Sequence, residues 1–144
     1  MGLNAIVYKN IANLSTALRD RVRVIDANTG ELELILQGEP DPHYNDDLLG
    51  ADIHIGNVAL VEKLRNEILT RWNGQCRILL SKVLFNGTHS GDFIHPDDAQ
   101  EIRREIEGLT ASESVSSPDL TKFFADMRRL LGVAQTENNP IVFV

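Results

Sequence analysis

The sequence is poor in cysteine, in long apolar runs and in basic residues, and each shortage excludes a class of protein. The one cysteine, Cys76, cannot form an intrachain disulfide, which excludes a small disulfide-stapled domain and suits a reducing compartment. No apolar run approaches the roughly 20 residues that span a bilayer. Residues 1–10 also lack the basic and apolar regions of a signal peptide. We therefore expect a cytoplasmic protein that does not enter the membrane.

Lysine and arginine are outnumbered by acidic residues, 14 to 21, which gives a formal net charge of −7. Such a surface repels phosphate backbones, so we expect no general affinity for nucleic acid. It suits a basic protein partner, although many cytosolic proteins are equally acidic. With 144 residues, of which 42% are hydrophobic and 24% charged, the chain can bury a sizeable core. We expect one domain over residues 1–144.

The first third of the chain and its last residues favour β-strands. Residues 3–8 (LNAIVY) form a short apolar run that predicts a strand. The alternating runs 22–26 and 32–36 flank Asn28-Thr29-Gly30, which is a turn sequence, so they predict a β-hairpin. Residues 141–144 (IVFV) predict a short strand that joins the sheet.

Three helices are predicted over about 57–72, 97–109 and 119–131, because apolar residues recur there at three- and four-residue spacing. Asn57 and Ser117 are the predicted N-caps of the first and third, since their side chains can accept from free amides of the first turn. The apolar faces of these helices predict the following core residues: Leu64, Ile68, Ile102, Ile106, Phe123 and Phe124.

The run 77–85 (RILLSKVLF) is short and continuously apolar, which predicts a central strand. A buried helix is the competing interpretation, because leucine and lysine also suit helices. Gly132 is predicted to end the third helix. Strands that come first and are then mixed with long helices indicate an α+β fold. The expected architecture is a mostly antiparallel sheet of about four to five strands packed with the three helices.

A glycine-rich polar loop, 86–92, precedes the second predicted helix and is one candidate site. His89, Asp92 and His95 are spaced by three residues and would offer zinc two imidazoles and a carboxylate, as in a small metal-dependent hydrolase. This spacing matches no recognised ligand pattern. Two glycines instead allow a turn in which polar side chains bond to local backbone. We therefore expect no metal and no cofactor, and we keep the hydrolase as the alternative. The loop candidates are Thr88, His89, Ser90 and Asp92.

The second candidate site is segment 38–50 (GEPDPHYNDDLLG), which is predicted to be a loop because its two prolines fix φ and remove backbone donors. Four carboxylates lie within residues 39–47 with no basic residue between them. Tyr44 adds a rigid aromatic body whose hydroxyl can bond across an interface. A solvated connector is the competing interpretation. The candidate partner-binding residues are Glu39, Asp41, Tyr44, Asp46 and Asp47.

Two segments lead into predicted helices and carry a resemblance: Gly56-Asn57 before the first helix and residues 81–94 (SKVLFNGTHSGDFI) before the second. In its middle and C-terminal parts the chain resembles small uncharacterised bacterial proteins, some of them similar to immunity proteins of polymorphic toxin systems. The resemblance implies a cytosolic protein that binds and blocks a toxin, and it transfers no catalytic residues. The net charge of −7 would help steer a basic toxin domain. We expect a non-enzymatic protein-binding protein, and a homodimer stays open.

Overall fold

The structure is a computed structural model, and it describes residues 2–36, 39–40, 46–71, 78–84, 92–112 and 117–144. The fold is α+β, as predicted. Its strands are β1 (Gly2–Tyr8), β2 (Val22–Asp26), β3 (Glu31–Leu36), β4 (Glu39–Pro40), β5 (Leu49–Asn57), β6 (Phe93–Ile94) and β7 (Ile141–Phe143). Its helices are α1 (Thr16–Arg19), α2 (Val58–Arg71), α3 (Pro96–Ser112) and α4 (Pro118–Glu137), with 3₁₀ turns at Ile11–Asn13 and Asp46–Leu48 and a π-helical segment at Leu79–Val83. None of the described helices is both long enough and apolar enough to cross a membrane.

The main sheet has four antiparallel strands in the order β5-β1-β7-β6. β1 is central: it pairs with β5 from Gly2↔Asn57 to Tyr8↔Leu49 and with β7 through Ile6↔Val142. The predicted C-terminal strand therefore does join the sheet. A second antiparallel sheet contains β2, β3 and the two-residue β4, and we call it the hairpin layer. The predicted turn between β2 and β3 is present, with Gly30 at φ 76°.

The main sheet separates two cores, because alternate residues of β1 point to opposite faces. Ala5 and Val7 face the long helices, whereas Ile6 and Tyr8 face the hairpin layer. The protein therefore has three layers: helices, main sheet and hairpin layer. All six predicted core residues are buried in the larger, helical core: Leu64, Ile68, Ile102, Ile106, Phe123 and Phe124.

The two predicted N-caps are confirmed, and the predicted helix end is wrong. Oδ1 of Asn57 accepts from the backbone N–H of Leu60 at 2.8 Å, and Oγ of Ser117 accepts from that of Leu120 at 3.2 Å. The helix predicted over 119–131 does not stop at Gly132 but continues to Glu137. It ends at Asn138, whose left-handed conformation (φ 52°, ψ 40°) closes the helix in the place of a glycine. The other two helices, predicted over 57–72 and 97–109, span Val58–Arg71 and Pro96–Ser112.

The described part of the run 77–85 is helical, so the predicted central strand is wrong and the competing helix is correct. The backbone N–H of Leu84 donates to the carbonyl of Leu79 at 2.9 Å, which is a π-helical bond. Glu105 of α3 accepts from the N–H groups of Ile78 and Leu79, both at 2.9 Å. At the other end Arg65 of α2 donates to the carbonyls of Leu80 and Leu84 at 3.0 and 2.9 Å. These two side chains form hydrogen bonds with backbone N–H and carbonyl groups of a helix that is too short to be stable alone.

Segment 38–50 is less of a loop than predicted, and β5 has no counterpart among the predicted elements. Within the described part of this segment, β4 pairs with β3, and a 3₁₀ turn leads directly into β5. β5 begins at Leu49 and is nine residues long, the longest strand among those described. Its alternation of buried and exposed residues matches a strand that covers the core on one face only.

Candidate functional site

The structure describes two members of the proposed ligand set, Asp92 and His95, and both are exposed. The carbonyl of Asp92 accepts from the N–H of Phe143 at 2.9 Å, which fixes its backbone beside the sheet. The ring of His95 lies 6.0 Å from that of Phe93 between centroids. No three or more histidine, cysteine, aspartate or glutamate side chains within the described residues are grouped so that they could hold a metal ion. The predicted turn residues Gly87, Thr88, His89, Ser90 and Gly91 lie outside the described residues, so the metal hypothesis stays a prediction.

Two concave regions lie near this end of the molecule. An open depression of about 300 Å³ is lined by Ser81, Lys82, Asp92 and Phe93. A groove of about 120 Å³ lies between α3 and α4, with Arg103 and Gln100 on one side and Leu131 on the other. Sites for drug-sized ligands enclose about 300–1,000 Å³ and are mostly apolar. The groove is smaller than that, and the depression is formed by side chains that are mostly exposed, so neither region defines a small-molecule site.

The structure describes three of the five candidate partner-binding residues. Glu39 lies in β4, where it pairs with Leu36 of β3. Asp46 and Asp47 lie in the 3₁₀ turn that precedes β5, and the side chain of Asp47 is exposed. Asp41 and Tyr44 lie outside the described residues. Of the candidate carboxylates that the structure describes, Glu39 therefore belongs to the hairpin layer, whereas Asp46 and Asp47 belong to the turn at the start of the main sheet.

The acidic region is larger than the predicted segment. No lysine or arginine occurs between Arg23 and Lys63. This stretch forms most of the hairpin layer, the second 3₁₀ turn and all of β5. The sequence does carry a signal for this larger region, namely the absence of basic residues over 24–62. A search for clusters of acidic residues alone does not detect it. The nine acidic residues in this stretch are Asp26, Glu31, Glu33, Glu39, Asp41, Asp46, Asp47, Asp52 and Glu62.

The charge of this region acts on Tyr8 in the core beneath the hairpin layer. Burial of the phenol and, as the smaller cause, the nearby carboxylate of Glu31 together raise the pKa of Tyr8 to about 12. Within the hairpin layer, Glu33 has a basic partner, since its Oε2 lies 2.7 Å from Nη2 of Arg23. This pair is partly exposed and contributes little to stability.

β5 adds an open strand edge to the same side. β1 occupies one edge of β5, and no described strand pairs with the other. Asp52 and His54 are exposed on the face of β5 that points away from the helices, and Nδ1 of His54 donates to Oδ1 of Asn4 at 2.6 Å. At the other end of the sheet Phe93 is 39% exposed.

No protein-family model, curated protein or solved structure matches this chain. The described residues present two features that could make contacts with another molecule. They are carboxylates without basic neighbours along the sequence and an unpaired strand edge beside them. Such features bind other macromolecules by charge and by backbone hydrogen bonding.

Proposed function

We propose that this chain is a non-enzymatic protein-binding protein whose acidic surface contacts a basic protein partner. We define the acidic surface as the part of residues 24–62 that belongs to the hairpin layer, to the segment 39–47 or to β5. The observation that carries the proposal is the absence of lysine and arginine over residues 24–62, in a stretch with nine carboxylates. A surface of one sign concentrates partners of the opposite sign and raises their association rate.

Within the acidic surface, segment 39–47 is proposed as the main contact. Its carboxylates, Asp41, Asp46 and Asp47 among them, supply charge, and Tyr44 supplies an aromatic anchor of the kind that dominates interface energies. Pro40 restricts the segment, which lowers the conformational entropy lost on docking. The position of Asp46 and Asp47 in a 3₁₀ turn fixed to the main sheet supports the same conclusion, because contacts on rigid elements cost less to order. The turn is held there by a hydrogen bond of 2.9 Å from the N–H of Lys9 to the carbonyl of Leu48.

The resemblance to immunity proteins narrows the proposal to a cytoplasmic protein that binds and blocks a toxin domain. A basic toxin, such as one that acts on a polyanionic substrate, would be complementary to the net charge of −7. The acidic surface would then occupy the part of the toxin that its own substrate uses. A toxin-like reading frame beside this gene would support this narrower form of the proposal.

The proposal is tested by capture of partners from the source cell with three forms of the chain. The first is native, the second carries Asp41→Asn, Asp46→Asn and Asp47→Asn, and the third is a control that carries three matched changes in α3. Both triple variants change the formal charge by the same three units, from −7 to −4. We expect one basic protein to be retained by the native and control chains and lost from the acidic-surface variant. Equal retention by all three, or equal loss from both variants, rejects segment 39–47 as the contact. The control changes are Asp97→Asn, Glu101→Gln and Glu107→Gln, all at exposed positions.

A further inference from the structure

β5 is an edge strand that carries few of the usual protections against pairing with another chain. Such protections include lysine, proline and β-bulges. β5 contains neither proline nor lysine. Its register shifts against β1 leave Gly50 and Ile55 as extra residues, and the stretch Ala51–His54 between them is regular. Within the described structure no backbone hydrogen bond is made on the outer side of this stretch.

We propose that two copies of this chain associate through β5, edge to edge and antiparallel, about a twofold axis at Ile53. The occupant of the open edge is thus a second copy of the protein. The four-stranded main sheets of the two copies would join into one continuous sheet. This inference goes beyond the proposed function, because it concerns self-association through the backbone edge of β5, whereas the main contact proposed for the basic partner is segment 39–47.

Among axes at Asp52, Ile53 and His54, the charges on β5 favour the one at Ile53. In an antiparallel pair, residues directly opposite each other point their side chains to the same face of the sheet. The twofold axis therefore has to pass between the two copies of one residue, and not between residues that are neighbours in the sequence. An axis at Asp52 would place the two Asp52 carboxylates opposite each other, and an axis at His54 would do the same for two imidazoles. An axis at Ile53 instead places Asp52 of each copy opposite His54 of the other. Opposite charges stabilise such a pair and like charges destabilise it.

The geometry of His54 fits this arrangement. Nδ1 is already used, since it donates to Oδ1 of Asn4 at 2.6 Å, so Nε2 is the nitrogen left for a contact outside the chain. The imidazolium form donates from both nitrogens, to Asn4 and to the carboxylate of Asp52 in the second copy. On the opposite face of β5, Ile53 of each copy would lie beside its symmetry mate. The pairing thus adds backbone hydrogen bonds and two contacts between Asp52 of one copy and His54 of the other.

A charge-swap experiment tests the register. The mass of the chain in solution is measured by light scattering over a dilution series for the native protein, for His54→Asp, for Asp52→His and for the double swap. We expect the native chain to reach twice 16.1 kDa on concentration. His54→Asp places two carboxylates opposite each other and should weaken dimerisation about tenfold or more, since such juxtapositions cost several kcal/mol. The double swap restores each pair of opposite charges and should restore the dimer. Glu62→Gln matches the change in net charge of Asp52→His, and Asn66→Asp matches that of His54→Asp. Both are exposed changes on α2 and should dimerise as the native chain does.

Disulfide capture gives a second measurement that does not depend on charge. In a background with Cys76→Ser, chains carrying Asp52→Cys and chains carrying His54→Cys are oxidised separately and as a mixture. Directly opposite residues of an antiparallel pair have Cα atoms about 4.5–5.5 Å apart, which is within the range that a disulfide bridges. We expect covalent dimers to form faster in the mixture than in either variant alone. A native chain that stays monomeric at every concentration, a double swap as weak as His54→Asp, or no advantage of the mixture overturns the proposal.

Discussion

Replacing Glu105 by alanine should destabilise the protein far more than its position on the side of a helix suggests. Its two carboxylate oxygens accept from the backbone N–H groups of Ile78 and Leu79, each at 2.9 Å. These groups begin the π-helical segment, whose residues Leu79 and Val83 are fully buried. Without the carboxylate, two amide donors at a partly buried helix start lose their partner.

The size of the effect follows from those two bonds. A hydrogen bond to a charged group contributes about 1.5–3 kcal/mol net, so the pair sets an upper range of about 3–6 kcal/mol. Glu105 is partly exposed, and water reaches the freed amides in part, which lowers the expected loss to about 2–4 kcal/mol. Glu105→Gln keeps one carbonyl oxygen as an acceptor and should lose about 1 kcal/mol.

The assay is urea unfolding followed by circular dichroism, with Glu107→Ala as the matched control. Glu107 lies two residues further along α3 and is exposed, so its loss should stay within about 0.5 kcal/mol. The slope against urea should be unchanged in all variants, because the surface exposed on unfolding is the same. A loss for Glu105→Ala that matches the loss for Glu107→Ala would refute the assignment of Glu105 as the cap of this segment.

Three further outcomes are expected. Phe123→Ala should lower the free energy of unfolding by about 3–5 kcal/mol, because the ring is 2% exposed; a loss well below about 1 kcal/mol in urea melts would reject its place in the core. Gly30→Ala should cost about 1–3 kcal/mol, since φ is 76° and a Cβ would lie 2.5 Å from Oδ1 of Asn139; a variant as stable as the native chain would contradict this. The raised pKa of Tyr8 means that the folded state holds the phenolic proton more tightly, so this contribution to stability is complete below pH 10 and is lost as the pH rises from 10 to about 12. The free energy of unfolding measured across that pH range should fall less for Tyr8→Phe than for the native chain. An identical fall in the two proteins would contradict this contribution of Tyr8.

The features that the sequence predicted correctly depend on residues close together in the chain. The hairpin turn needs only Gly30 and the alternating runs beside it. The N-caps at Asn57 and Ser117 need a partner three residues ahead. Hydrophobic periodicity also identified the buried faces of the long helices, because burial against one layer is what produces that pattern.

The features that it missed depend on contacts between distant parts of the chain. The apolar segment 78–83 suits a strand or a buried helix, and Glu105 and Arg65 decide for the helix from 27 and 15 residues away. At Gly132 the local stop signal is overridden, because α4 continues past it to bury Ala134, which is 3% exposed, beside α3 and to place Val133 against Gly50 of β5.

β5 was also missed, although the sequence pattern that indicates it involves only neighbouring residues. Ala51, Ile53 and Ile55 alternate with Asp52 and His54, a two-residue period typical of a half-buried strand. The glycines at each end of this short stretch make it resemble a connector between the acidic segment and α2. The same omission limited the candidate site: segment 39–47 was identified, but the longer stretch 24–62 without basic residues was overlooked, and the strand edge beside it follows only from the fold.

The most direct test of the central claim, that the acidic surface binds a basic partner, is the association rate of the captured protein as a function of salt. The rate is measured for the native chain, the Asp41→Asn, Asp46→Asn, Asp47→Asn variant and the α3 control. Charge steering predicts that the association rate of the native chain falls as ionic strength rises. At low salt the acidic-surface variant should associate several-fold more slowly than the native chain. At high salt, where the charges are screened, the two rates should become equal. The control should follow the native chain. Association of the acidic-surface variant at the native rate in low salt would contradict the claim.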